Sequence, residues 1–458
     1  VLILGIDGMD PRLLDTFREE GLMPNFDRLI AQGDYKPLQS SIPPQSPVAW
    51  STFITSMDAG GHGIFDFVHR DPSKTFAPYL SMSKAIPAEK TFAIGPWVIP
   101  LSQGRVENLR QGKAFWQMLE EHGVPTTIFR MPANFPPTDS PGKSFSGMGT
   151  PDIQGTPGTF SFYTDDLPDH PEDRWSGARY EREVAADGKQ FSFVQLPGGK
   201  VFEVQVVDHQ IDAFLVGPKN TFRRIPKKTS GFGAPKKPEY EEPRCTADFS
   251  VFVDPDHPVA KFVVQDDEFV LQQGEWSDWI RIDFEMVPYL AGVSAIGRFY
   301  LQQVRPEFKL YVTPLQINPE EPAMPMSTPK DWSHELYQAL GYFYTQELPE
   351  DTKALSNGVF DGREFWEQAQ FVYRERRRAL DYFLDQFEEG LLFFYFSSLD
   401  QGCHMLWRYV DEDHPAYAPK ERLVGSIGVI YQEMDEALGY TMEKMGKDTV
   451  LIVMSDHG

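Results

Sequence analysis

Thr449-Val-Leu-Ile-Val-Met-Ser-Asp-His-Gly458 is the stretch that decides the fold. Val450 to Met454 is an unbroken apolar run, too short for a free-standing helix and rich in β-branched residues, which predicts a strand buried on both faces. The run stops at Ser455, Asp456 and His457. A carboxylate and an imidazole on the end of a stiff strand suit a divalent cation, which takes oxygen and nitrogen donors. A strand followed by a plain polar turn is the alternative.

The pattern recurs twice. Val1-Leu-Ile-Leu-Gly-Ile6 runs into Asp7-Gly8, and Leu391-Leu-Phe-Phe-Tyr-Phe396 runs into Ser397-Ser-Leu-Asp400. In open parallel sheets ligands sit beyond the carboxyl ends of the strands, so three such ends aim three carboxylates into one crevice. His404 follows Asp400 by one helical turn and shares its face. Each Asp alone also suits the N-cap of the next helix. Helical segments between the strands give an α/β class, with a largely parallel central sheet and helices on both faces.

Working outward, residues 1–155 and 326–458 read as two parts of one α/β core. Asp10 caps a helix that begins at Pro11, and Pro24 to Ile30 forms a second, closed near Gly33. Pro47 predicts a helix start with Ser46 at the N-cap, where free backbone N–H groups favour phosphate oxygens. Ser46 is either a plain cap or a nucleophile, and a nucleophilic serine needs a base or metal to activate it. No G-x-S-x-G elbow surrounds it, which weighs against an ordinary Ser-His-Asp hydrolase. His62 and His69 read as loop hydrogen-bonding residues rather than ligands. Residues 156–325 read as a β-rich insertion, a cap or substrate subdomain, from alternation at Phe202, Val204, Val206 and at Phe308, Leu310, Val312. Lys219 to Lys237 holds seven basic residues and no acidic one, a solvated loop rather than an anion contact.

The 458-residue chain carries a net charge of −24, which argues against a nucleic-acid duplex or an anionic membrane as partner. Cys245 and Cys403 are too few for a disulfide framework or a cysteine-rich zinc module. No apolar run reaches the length of a membrane span. Val1 already lies in a strand, so an export signal is expected ahead of it, favouring an extracytoplasmic (periplasmic or secreted) location. Continuation past Gly458 is expected on the same ground. The oligomeric state is not legible.

Asp7 after the first strand, a hydroxyl at a helix start, Asp400-x-x-x-His404 and Ser455-Asp-His-Gly458, in that order, resemble the alkaline phosphatase superfamily. The closest branch is the type I phosphodiesterases and nucleotide pyrophosphatases, and the resemblance covers roughly residues 1–150 and 330–458. It implies an alkaline-phosphatase-like sandwich and two divalent metal ions, usually Zn²⁺, with Mn²⁺ or Fe as alternatives. By that likeness Asp7, Ser46, Asp456 and His457 hold one metal and Asp400 with His404 the other, whose remaining His is expected beyond Gly458. Where relatives carry a phosphate-binding Asn after the nucleophile, this chain has Ala49. The Arg of a sulfatase motif is missing after Ser46, and no Gly-Asn-Ser motif of the phosphoglycerate mutases occurs. The expected activity is hydrolysis of a small phosphate ester or nucleotide-like substrate, diester or monoester, through a phosphoserine at Ser46. Charge repulsion between nucleophile and phosphate calls for two cations about 4 Å apart. The rival expectation is a non-catalytic metal- or ligand-binding protein with an incomplete second site. A nucleotide-binding domain is disfavoured by the absence of a Gly-rich phosphate loop.

Overall fold

A computed structural model describes residues 1–226, 239–419 and 423–458. The central sheet has six strands: β1 (Leu2–Ile6), β2 (Thr126–Met131), β3 (Lys143–Ser146), β4 (Ser327–Thr328), β5 (Leu391–Phe396) and β6 (Leu451–Met454). Their spatial order is β4-β3-β2-β5-β1-β6. All neighbours run parallel except β4, which pairs antiparallel with β3. This is a mixed α/β fold around a largely parallel sheet, and its register sets the site. Ile6 lies opposite Phe396 and Gly5 opposite Met454, so three strands end level with one another.

Alternate residues of β1 and β5 enter two separate cores, which explains why both read as continuous apolar runs. Leu2, Leu4, Ile6, Phe394 and Phe396 join one core, where Ile430, Met434 and Leu438 of the helix Ser426–Lys444 also lie. Ile3, Phe393 and Tyr395 join the other, with Trp50 and Ile54 of the helix Ser46–Thr55 and Trp116 of the helix Phe115–Glu121. Gly5 makes the second packing possible, since a Cβ there would lie 2.8 Å from the Trp50 ring and 2.9 Å from Phe393. Phe393 in turn meets Trp50 edge to face, with ring centroids 5.8 Å apart. Phe393→Ala is expected to destabilise the protein by about 3–5 kcal/mol, because the cavity beneath Trp50 cannot close against a rigid sheet. Urea unfolding monitored by tryptophan fluorescence measures it.

Four sequence expectations change. β6 is not buried on both faces: it pairs only with β1 among the described residues, and Ile452 is 42% exposed. Apolarity along a strand reports β propensity as well as burial, so an edge strand can carry the same pattern. Ser46 is the first helical residue, not the cap. Gln45 takes the cap, its carbonyl accepting from Val48 N and Ala49 N at 2.9 Å. Val206 is exposed, whereas Phe202 and Val204 are buried, and the strand itself spans only Gly199–Glu203. Finally, His69, read as a loop residue, lies in a strand, because three short hairpins occupy 68–108, pairing Val68–Asp71 with Ala77–Leu80, Ser83–Ile86 with Arg105–Asn108 and Thr91–Ile94 with Trp97–Pro100. Four-residue strands without clean alternation leave no period to detect.

Between Phe160 and Ile317 the described residues form mainly antiparallel strands, in sheets of seven, four and three strands and one two-stranded pair. The basic run from Lys219 falls partly on residues outside those described. Within the described part, Arg223 lies over the Trp97 ring and Arg224 over Tyr240, at 5.4 and 4.3 Å from the ring centres, so these two cations rest on aromatic faces. Cys245 and Cys403 are both free thiols. No helix among the described residues is long and apolar enough to cross a membrane.

Candidate metal and nucleophile site

The level strand ends bring widely separated residues together. Ligand atoms of Asp7, Asp400 and His457 all lie within 4.8 Å of one another. Ser46 Oγ donates to Asp7 Oδ1 at 3.2 Å and lies 3.0 Å from His457 Nε2. His457 Nε2 is also 3.5 Å from Asp456 Oδ2 and 3.9 Å from Asp400 Oδ1. His404 joins through Asp400, its Nε2 3.3 Å from Oδ1, but its side chain is 69% exposed at the rim. All six residues expected from the sequence therefore converge. Asp400 does not serve only the His404 side: its Oδ1 reaches toward His457 as well.

Neither Asp7 nor Asp400 caps a helix. Asp10, not Asp7, accepts from Arg12 N and Leu13 N, and Asp400 lies inside the helix Ser398–Leu406, after Ser397. The loops are instead shaped to meet. Gly8 adopts a φ of +69°, and a Cβ there would sit 2.8 Å from Asp400 Cβ, so only glycine lets the loop after β1 approach the first turn of the Asp400 helix this closely. Met9 N donates to Ser455 Oγ at 2.8 Å, and that hydroxyl donates to the His457 carbonyl at 2.7 Å. These bonds fasten the turn after β6 to the loop after β1.

The Asp7 carboxylate divides its oxygens. Oδ2 accepts from Trp50 Nε1 at 3.0 Å and Tyr395 OH at 2.6 Å, while Oδ1 faces Ser46 and His457. Burial and the neighbouring Asp7 charge push the Tyr395 hydroxyl well above its ordinary pKa, so it stays a donor. Trp50, Tyr395 and Gln401, which donates to Asp400 Oδ2 at 2.7 Å, are site residues that sequence reading missed. Their only signal was apolar or polar character shared with many other positions. Glu350 is another: it accepts from Ser397 Oγ and Ser398 Oγ, at 3.3 and 2.9 Å, holding the turn that leads to Asp400. Tyr395→Phe is expected to weaken metal binding or activity by about 10–100-fold, the range for a partner that orients a ligand. Titration of apoprotein with metal, followed by calorimetry, reads the change.

Crowding of carboxylates governs the electrostatics. Burial and the Asp7 charge raise the Asp456 carboxyl well above the usual range. Burial alone would lower His457, but its hydrogen bond to Asp7 and the charges of Asp456, Asp7 and Asp400 push it up to about 9. Among the described residues Asp456 Oδ2 is buried without a hydrogen-bond partner. Such an orphaned acceptor beside two further carboxylates and an imidazole is a donor set that fits a divalent cation. Beside these groups an open pocket of about 890 Å³ is lined by Ser46, Asp400, His404 and His457 together with Arg12, Gln45 and Phe67.

A family model, described as type I phosphodiesterase / nucleotide pyrophosphatase, matches residues 1–213 and 251–458. The match runs through much of the β-rich segment, beyond the two flanks on which the motifs stand. Comparison with curated proteins and with solved structures finds no match. With strand-end carboxylates and imidazoles meeting beside a helix-borne serine, and with the family model spanning nearly the whole chain, this protein belongs to the type I phosphodiesterase / nucleotide pyrophosphatase family of the alkaline phosphatase superfamily, metal-dependent hydrolases of small phosphate esters and nucleotides.

Proposed function

We propose that the protein hydrolyses phosphate esters with Ser46 as nucleophile. The observation that carries this is Ser46 Oγ at 3.2 Å from Asp7 and 3.0 Å from His457, in a pocket where Asp7, Asp400 and His457 converge. Asp7, Asp456 and His457 would hold one divalent ion beside Ser46, and Asp400 with His404 a second, zinc being the fit for this mixed oxygen and nitrogen set. Bound ions would lower the pKa of the serine hydroxyl and offset the charge of the phosphate.

Ser46 Oγ attacks phosphorus in line with the departing alcohol oxygen. The P–Oγ bond forms as the bond to the alcohol breaks, leaving a phosphoserine that water then hydrolyses. Trp50 and Tyr395 keep Asp7 Oδ1 turned toward the hydroxyl. The first turn of the Ser46 helix adds positive potential where phosphate oxygens gather. Gln45 and Arg12, both lining the pocket, supply side-chain donors for phosphate oxygens where this chain, with Ala49, lacks the Asn of its relatives. Residues 156–325 act as a substrate-side subdomain, a role supported by Thr156, Pro157, Gly158 and Pro314 lining a cavity that adjoins the pocket.

Dialysis against a chelator is expected to abolish turnover of bis(4-nitrophenyl) phosphate, and added Zn²⁺ or Mn²⁺ to restore it. Undiminished turnover by protein shown to be metal-free would sink the reading. Stoichiometric metal binding with no turnover of any ester would instead favour the non-catalytic alternative.

A further inference from the structure

The reaction pocket does not stop at Ser46. Phe67 forms a wall common to it and to a second, more enclosed cavity of about 400 Å³. Two of the short hairpins supply one side of that cavity. Val68 faces Leu80 across the first and Ala85 faces Val106 across the second, and all four line the cavity with Met82 and Phe135. Val68 and Leu80 are 47% and 46% exposed, a cross-strand apolar pair that belongs to none of the cores formed by the described residues. The residues that also line it include three with carboxyl groups, Glu347, Glu350 and Asp351, and one with an ammonium, Lys353. That balance disfavours a second phosphate. Glu350 also accepts from Ser398 Oγ at 2.9 Å, which ties the cavity lining to the turn carrying Asp400.

We infer that the cavity receives the hydrocarbon part of the substrate, an uncharged alkyl or aryl group esterified to the phosphate, rather than the further phosphates of a nucleotide. Its volume lies in the range of small-molecule sites, its lining is mostly apolar, and the shared Phe67 wall puts it beside the reacting phosphate. The inference rests on the hydrolase reading, so its test reads binding and turnover separately.

Calorimetric titration of the full-length protein, as purified, with n-alkylphosphonates from methyl to octyl is the experiment. Complete burial gains about fourfold in affinity per methylene, and hexylphosphonate is expected to bind at least about 30-fold tighter than methylphosphonate. Leu80→Glu, at a half-exposed position that tolerates charge, is expected to flatten that gradient, and Val68→Glu on the facing strand provides a second variant should the first fail to fold. A flat gradient in the parent, with bis(4-nitrophenyl) phosphate still turned over, overturns the cavity's role and leaves the hydrolase reading standing. A nucleoside diphosphate binding more than about tenfold tighter than octylphosphonate overturns it as well. Absence of turnover on every ester overturns both, since the ligand would then be no substrate.

Discussion

Ser46→Ala protein is expected to fold, to bind metal nearly as the parent does, and to turn over phosphate esters at least about 10³-fold more slowly. Ser46 is buried in the first turn of its helix, and alanine, a strong helix former, fits there with the loss of one hydroxyl. What disappears is the Oγ that contacts both Asp7 and His457. Asp7, Asp400, Asp456 and His457 remain to hold the cation, so metal analysis should be nearly unchanged while the rate collapses. Parent protein quenched during turnover is expected to carry one phosphoryl group on the peptide containing Ser46, seen by mass spectrometry, and the variant none. An active Ser46→Ala protein would rule out the covalent route.

Asp7→Asn is expected to lower metal affinity by more than about 100-fold, beyond the range for residues that only orient a ligand, with turnover falling in step. The substitution keeps the shape and removes the charge. Trp50 Nε1 and Tyr395 OH both point donors at Oδ2, so the amide oxygen of asparagine must take that side and its NH₂ must face Ser46 and His457. A donor then stands where a cation needs an acceptor. Stability of the metal-free protein should hardly fall, because one of several crowded carboxylates has been neutralised. Melting temperature of the apoprotein separates the two roles: a drop of more than several degrees would make Asp7 a structural group.

Local chemistry was legible where it repeated. The apolar runs at Val1–Ile6 and Leu391–Phe396 announced strands, and Leu2–Ile6 and Leu391–Phe396 are strands buried along their whole length, although Val1, read as part of the first, lies outside it and is exposed. Asp10 before Pro11 announced a cap, and its carboxylate accepts two backbone N–H groups. The one-residue displacement of the cap at Ser46 came from Pro47, which fits the second helical position as well as the first, since neither N–H has an intrahelical acceptor. Trp50 and Tyr395 escaped notice because their polar atoms act across long chain separations, 43 and 388 residues from Asp7. The hairpins at 68–108 escaped because short strands with mixed exposure carry no periodicity.

By itself the sequence determined the strand-end carboxylates and imidazoles, the serine at a helix start and the alternation of strands with helices, because these follow from side-chain type and short-range spacing. Only the tertiary structure decided that Asp400 faces His457 as well as His404, that Asp7 is held by an indole and a phenol, and that an apolar cavity adjoins the reaction pocket at Phe67. Those facts depend on which strands are neighbours and in what register, and register is settled by the packing of whole faces rather than by any one segment.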